Sequence, residues 1–559
     1  MTYGLLPSRQ PKAARVKQMS LFMSVVSVPP VSAGGAPPAA PVAQPFTGRL
    51  VTGLIGVLIA ALSSGLNDRV TDIALSDVRG ALSIGSDEGS WLIGGYQAAE
   101  VAAMMLAPWL AMTFSMRRFA MSMVLGFGLL GALIPFAPNL PLFITLRVIQ
   151  GLFGGALPPL LMTVALRFLP PGFKLYGLGA YALSATFGPN MANSLAALWT
   201  DHVGWQFVYW QVIPPCLLAF AMISHGIPQD PLRLERFRQI DAFGMVTGCS
   251  GMAMLVLALQ QGERQDWLES TQICALLFGA AVLLTVFLIN EWYHPLPLFK
   301  LQMLKRRNLA HGLLTLAGLM VVYLSGSALP SNYLMSVNGF RAAEMGPLSL
   351  TIGVPQLVMA PLVAAVCNLR WVDSRWVLAT GLGLLAFACY CGSEINSAWV
   401  QDNFYWLQAM QAVAQPMAVI PILMSATSVV QPPEGPFASA MFNTVRGLGS
   451  VAGSALLETF ISHREKFHSH VLLDHAGSVS YLLSQPYDGN RAPPAPLNAD
   501  GSAVSSEVLA RFSTLAKHQA TILGLSDTYL MIMGVALGLI LLAALLPQRT
   551  YPPQSLVNR

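Results

Sequence analysis

Charge is the scarcest commodity in this 559-residue chain. Only 10% of residues are Asp, Glu, Lys or Arg, whereas a soluble domain carries about a quarter. That shortage excludes a solvated globular enzyme of ordinary composition. Glycine-rich loops followed by Lys-Ser or Lys-Thr are also missing, which argues against ATP as the energy source. The chain has no His-Glu-x-x-His run and no Gly-x-Ser-x-Gly elbow, so no hydrolase site can be read from it. It has no large polar block of the kind that forms a soluble sensing domain. Six cysteines (Cys216, Cys249, Cys274, Cys367, Cys389 and Cys391) are all embedded in apolar runs. That placement favours reduced, packed thiols over a disulfide frame or zinc site.

What is abundant is long apolar sequence, with 54% of residues hydrophobic. A bilayer core about 30 Å thick takes about 20 helical residues to cross. Fourteen candidate spans lie near 48–66, 91–113, 118–137, 142–166, 175–197, 206–226, 241–260, 271–291, 310–330, 345–367, 376–393, 404–428, 437–461 and 526–546. The expected fold class is an all-α polytopic membrane protein. Residues 1–47 read as a flexible tail, polar and then rich in Ala, Pro, Gly and Val. The apolar stretch at 19–28 is stopped by Pro29-Pro30 and is too short for a cleaved signal.

With the N-terminus inside, twenty Lys and Arg flank the cytoplasmic ends of the spans, against Arg69, Arg79, Arg264 and Arg341 outside. The long 462–525 segment is left out of that tally because long loops count little. Both termini are therefore expected in the cytoplasm. The net charge of +5 follows from this asymmetry and gives no reason to expect nucleic-acid binding.

The two ends of the chain echo one another. FITLRVIQG (143–151) matches FYWLQAMQA (404–412), so that Gln408 stands where Arg147 does. Pro170-Pro171 and Pro432-Pro433 repeat at nearly the same offset, as do the Gly188 region and VRGLGSVAG (445–453). An offset of eight spans implies two six-helix halves with two helices inserted between them, an arrangement that transporters use.

Several segments resemble the major facilitator superfamily, and in particular its fourteen-helix drug:proton antiporters of the EmrB/QacA type, with EmrB the better fit. RVIQGLFGGALPPL (147–160) resembles that family's fourth-helix motif, and DHVGWQFVYWQVIPP (201–215) its entry to helix six. RQIDAFG (238–244) and LQQGERQDWLES (259–270) resemble the inserted pair and its connector. PLFKLQMLKRRNL (297–309) and NTVRGLGSVAGSALLETFISHREKFH (443–468) resemble the return to the second half and helix thirteen. The resemblance runs from about residue 50 to 547 and implies a six-helix bundle at 48–226, a connector with two inserted helices at 227–309, a second bundle at 310–547 containing a periplasmic loop at 462–525, and a cytoplasmic tail at 548–559. It also implies a bacterial inner-membrane location, and a periplasmic adaptor with an outer-membrane channel as partners.

The chain departs from the family in three places. Where the loop after helix two normally reads Gly-x-Leu-Ala-Asp-Arg-x-Gly-Arg, this chain has PWLAMTFSMRR (108–118), with Met112 in place of the acid. The fifth-helix motif keeps Gly188 and Pro189 but ends in Ala192-Asn193. Helix one ends LNDRVTDIALS (66–76), with Asn67 or Asp68 in the usual acid position and Arg69 and Asp72 added.

An ionisable residue inside a span marks function by default. Glu100 in YQAAEVAAMM is the first candidate proton carrier, followed by Asp68 and Asp72. Arg147, which stays protonated in proteins, is expected to be a fixed charge facing the central cavity. The plainer alternative is an ion pair of Glu100 with Arg147, or of Asp68 with Arg69. Tyr96, Gln150, Asn190, Gln408, Gln411, Asn443 and Arg446 are candidates for the substrate cavity, with interhelical hydrogen bonding the plainer role for the uncharged ones. SHREKFHSHVLLDH (462–475) reads as an exposed helix or partner-docking segment before it reads as a metal site, because no His pair sits at i,i+4. The function expected from all this is proton-driven export of amphipathic toxic compounds, with no cofactor and no metal. A narrow-substrate exporter and, more remotely, a membrane receptor or enzyme are the alternatives.

Overall fold

The computed structural model describes residues 47–483, 506–545 and 550. The tails read at 1–47 and 548–559 lie outside these residues apart from Thr47 and Thr550, as does 484–505 of the 462–525 loop. Among the described residues there is no strand, and fourteen helical stretches are long enough to cross a bilayer. In chain order they are α1 Gly48–Ile73, α2 Ser86–Phe114, α3 Met116–Phe136, α4 Leu140–Phe168, α5 Lys174–His202, α6 Phe207–Gly226, α7 Ala242–Gln261, α8 Thr271–Tyr293, α9 Arg307–Ser336, α10 Ala342–Cys367, α11 Ser374–Ser393, α12 Gln401–Ser428, α13 Gly435–Leu483 and α14 Ser506–Ala544.

Eleven of these are also apolar enough to qualify as spans by composition. The three that fall short are α2, α5 and α13, at 29, 29 and 49 residues. They replace large aliphatic side chains with Ala, Gly, Ser and Asn, and α13 continues into a polar extension. They are also the helices at the middle of the assembly. α1–α6 pack among themselves, as do α9–α14, and the two groups meet where α5 lies along α10 and α2 along α13. Small and polar residues suit a helix–helix seam, since they let backbones close in and offer hydrogen bonds across it. Lipid-facing α8 is the opposite case, with the highest hydropathy and the least burial of the eleven.

The segment from 462, read as an exposed helix or docking segment at the start of the 462–525 loop, is helical at its start and at its end. α13 runs on as helix to Leu483, and α14 begins at Ser506. Charged and histidine side chains remove the apolar signal without removing helix propensity. The extension is tied to α14 by Arg464 Nε and His468 Nε2, 2.6 and 2.7 Å from Asp527 Oδ2.

The inserted pair α7–α8 begins at a side-chain cap, with Gly244 N donating to Asp241 Oδ1 at 2.7 Å and Asn290 of α8 donating to the other oxygen. α7 packs against α2, and the 262–270 turn then reaches both groups. Arg264 donates to Ser86 O at 2.9 Å and pairs with Asp87 on α2, while Trp267 Nε1 donates to Thr459 Oγ1 on α13 at 3.0 Å. Asp266 and Trp267 take φ values of +53° and +50°, a left-handed backbone uncommon outside glycine. The Trp267 ring packs on Gly262, where an added Cβ would sit 2.7 Å from ring carbons.

Glu434 in the α12–α13 turn joins the connector to the second bundle. It accepts from Lys300 Nζ at 2.9 Å, Arg306 Nη2 at 3.0 Å and Gln431 N at 3.2 Å. Burial pushes its carboxyl up, but the Arg306 and Lys300 hydrogen bonds outweigh that and hold it at about 2. A depressed carboxyl stabilises the fold above its ordinary range near pH 4.3 and loses that contribution as pH falls toward 2. Glu434→Gln is therefore expected to cost about 1–3 kcal/mol at pH 7. The variant's deficit relative to the parent should shrink in thermal melts as pH is lowered below about 4. An equal deficit at pH 7 and pH 3 would contradict this.

A charged seam where two helix bundles meet

The site begins with how closely α4 approaches α2. Gly151 and Gly155 lie on the α2 backbone at Tyr96 and Glu100, and a Cβ at 155 would come within 2.8 Å of the Glu100 Cα. This contact brings Arg147, two turns before Gly155, over the ring of Tyr96, with its guanidinium carbon 4.0 Å from the centroid. Tyr209 lies beneath it at 5.5 Å, and Gln150 Oε1 accepts from Nη1 at 2.7 Å. Asn67 of α1 reaches the same oxygen at 3.4 Å.

Arg147 has no exposed surface, and no acid lies within 4 Å of it among the described residues. The expectation that it faces an open cavity is therefore corrected. Its charge is sealed between aromatic faces, whose negative quadrupoles offset part of the desolvation cost. Tyr96 and Gln150, expected in the cavity wall, are fully buried in the same contact.

The acids gather elsewhere, on the side facing the second bundle. Asp68 is nearly buried and lies 3.9 Å from Arg69 Nε, and Arg69 Nη1 is 3.8 Å from Asp72 Oδ2. Arg69 Nη2 crosses the seam to Ser450 Oγ of α13 at 2.9 Å. Glu100 is half-buried although it sits mid-helix, and it makes no ion pair within 4 Å among the described residues. The charges that act on it are Asp68, Arg446, Arg69 and, last, Arg147. Arg446 of α13 is also half-buried, donates to Ser184 Oγ of α5 at 3.1 Å and lies 5.3 Å from the Tyr181 ring centroid. Two cations and three acids thus lie near the meeting point of α1, α2 and α13, and the cation that acts most strongly on Glu100 is Arg446. Tyr181 completes the seam by donating to Asn443 Oδ1 at 3.2 Å.

Of the remaining cavity candidates, Gln408 and Gln411 bond within their own bundle, whereas Asn190 packs across the seam against Gly353 of α10. Asn190 donates to Thr186 O on its own helix, one turn back, at 2.7 Å. Gln408 donates to Gly326 O and Gln411 to Ser325 Oγ, each at 2.8 Å. Here the internal repeat is visible in side chains, since Gln150 meets α1 in the first bundle and Gln411, at the same offset, meets α9 in the second. Gly188 packs on α1, with an added Cβ 3.2 Å from Gly65 backbone atoms, and α5 continues through Pro189.

Sequence reasoning missed two contacts. Gln97 of α2 lies 3.4 and 3.5 Å from the two oxygens of Asp68, and its own signal was only a glutamine in mid-span. Asp230 pairs bidentately with Arg167 at 2.7 and 3.0 Å, beside the Met112 sulfur at 4.0 Å. An acid from the α6–α7 connector thus serves the arginine next to the position where the loop lacks one.

A helical assembly of this size, with a cluster of charges at the seam between two repeated bundles, is the build of a membrane transporter. The Major Facilitator Superfamily profile matches residues 57–323. The multidrug export protein EmrB of Escherichia coli K12 is 23% identical over 76% of this chain and 83% of its own length. The fatty acid resistance protein FarB of Neisseria gonorrhoeae is 22% identical over 76% and 84%. The puromycin resistance protein pur8 of Streptomyces alboniger is 26% identical over 73% and 81%. Among solved structures, a bacterial homolog of the human lysosomal transporter Spinster (13% identity, 89% of this chain, 98% of that one) and the proton:xylose symporter XylE (11%, 91% and 99%) each superpose with a TM-score of 0.51. The chain is similar to the major facilitator superfamily, and within it to drug exporters of the EmrB type.

Arg147 gives a test of how this interior is held. A lysine there would bury a compact, strongly hydrated ammonium without the flat stacking surface, whereas methionine would fill similar volume without charge. Arg147→Lys is expected to melt several degrees below Arg147→Met in purified protein, since an unpartnered buried charge costs more than its removal. The reverse order would show that the charge itself holds the bundle together.

Proposed function

We propose that this protein is a proton-coupled exporter that moves amphipathic toxic compounds out across the inner membrane by alternating access. The observation that carries the reading is Glu100, half-buried at the seam of the two bundles and without an ion pair, facing Asp68, Arg69 and Arg446. A carboxylate held in this way can take a proton from one side and release it to the other. Protonation removes one negative charge from a cluster of five. Arg446 then keeps only the Ser184 hydrogen bond and the Tyr181 face, and the bonds that cross the seam redistribute. Proton entry and substrate release are linked because both act on this shared charge balance. The energy source is the proton gradient, with no cofactor.

The family relatives support the export direction, since their printed names speak of multidrug export and of resistance to fatty acids and puromycin. In the same reading both termini face the cytoplasm, all fourteen long helices cross the bilayer, and residues 48–226 and 310–547 form the two rocking halves. The polar extension of α13 beyond the membrane suits a periplasmic adaptor that leads to an outer-membrane channel.

Everted membrane vesicles test the reading. Accumulation of a lipophilic cationic dye, puromycin or a medium-chain fatty acid should collapse when the pH gradient is dissipated. Glu100→Gln should insert normally and lose at least about tenfold of the gradient-driven rate, the order that a positioned proton-transfer group contributes. Undiminished gradient-driven uptake by Glu100→Gln would overturn the assignment. Uptake confined to one compound class across the panel would favour a narrow-substrate exporter.

A further inference from the structure

The inserted pair α7–α8 has no counterpart in either repeat, and nothing above gives it a task. Its contact with α2 has an unusual destination. Gln260, one residue before the end of α7, donates its side-chain amide to Gln97 Oε1. Gln97 is buried and directs its own amide nitrogen at both oxygens of Asp68, at 3.4 and 3.5 Å. A side-chain amide has one acceptor end and one donor end. With the oxygen fixed by Gln260, the nitrogen can face only Asp68. If the amide turned over, its oxygen would meet a carboxylate and its nitrogen would meet another N–H donor. Asp68 and Gln260 thus favour the same orientation, and Gln260 ties it to an element outside the two repeats.

We propose that Gln97 is a positioning residue for Asp68, and that α7 keys its orientation through Gln260, so that the inserted helices take part in proton coupling. This rests on the reading of the seam as the coupling site. When Asp68 is ionised, the chain Gln260 to Gln97 to Asp68 is satisfied along its length. When Asp68 is protonated, its hydroxyl competes with the Gln97 amide, and the link to α7 slackens. The 262–270 turn at the end of α7 touches both α2 and α13, so a change at Gln260 is delivered to both bundles at their outer ends.

Other groups also act on Asp68. Arg69 and Asp72 act on it from α1, and Tyr96 and Glu100 from α2, while Arg147 of α4 acts on Asp72 and Glu100, and Arg446 of α13 on Glu100. Gln97 is the member of this set that an element outside both repeats holds in place.

The test is the pH profile of gradient-driven ethidium uptake by the full-length protein in everted vesicles. Removing a donor from a carboxylate favours its protonated form. Gln97→Ala and Gln260→Leu should each move the half-maximal pH upward by about 0.5–1 unit, as expected for loss of one weak hydrogen bond to a charged group. The double variant should match Gln97→Ala alone, because both changes break one chain. Ser90→Ala removes a neighbouring α2–α7 tie, between Ser90 and Gln261 at 3.0 Å, and should leave the profile where it is. If Gln97→Ala does not insert, Gln260→Leu carries the test by the same shift. An unchanged profile in Gln260→Leu, or an equal shift in Ser90→Ala, would overturn the proposal. Wild-type vesicles showing no gradient-driven uptake would overturn the export reading beneath it, a result distinct from uptake that persists with an unmoved profile.

Discussion

Two cations must serve three acids inside a bundle that lipid surrounds, and the geometry of the seam follows from that shortage. Arg69 is shared among Asp68, Asp72 and Ser450, at distances that leave its ion pairs long. Arg446 faces Glu100 without closing on it. A buried charge whose partners are loose stays in place only if the surrounding polar groups are arranged for it, and here they come from both bundles. Ser450, Ser184, Tyr181 and Asn443 all make bonds that cross from one bundle to the other. The interface between the halves thus carries hydrogen bonds from the cations that the seam acids also engage.

Arg147 shows the contrasting solution. It lies within the first bundle, against two aromatic rings and a glutamine on its own helix, and its position is enforced by glycine contacts between α4 and α2. A sealed charge in rigid packing and half-buried charges in looser packing thus occupy the same bundle. The first fixes the shape of the bundle, and the second leaves the seam free to change.

Much of this was legible in the sequence, for identifiable reasons. Apolar runs pointed to the fourteen long helices of the described residues, eleven of them apolar enough to stand as spans by composition, because apolar length is a local property. The repeat between 143–151 and 404–412 foretold two like bundles, and it reappears as Gln150 reaching α1 and Gln411 reaching α9. Glu100, Asp68, Asp72 and Arg446 could be singled out because charge is so rare in these spans. Their pairing could not be read, because partners are chosen by which helix faces meet, and sequence gives no distance between α2 and α13. Hence Arg147 was expected to face the cavity when its neighbour is Tyr96. Gln97 and Asp230 went unnoticed because an amide in a span and an acid in a connector are ordinary until their partners are known. The polar extension of α13 was legible as an exposed helix over 462–475, but not how far it runs on, to Leu483.

The central claim is that the acids at the seam exchange protons as substrate comes and goes. Purified protein in weakly buffered detergent solution, mixed with a transported compound in the presence of a pH-sensitive dye, tests this without any membrane gradient. The account predicts a stoichiometric acidification on mixing that disappears when Glu100 and Asp68 are both replaced by their amides. Binding of the compound with no proton release from the parent protein, or the same release from the doubly substituted one, would contradict it.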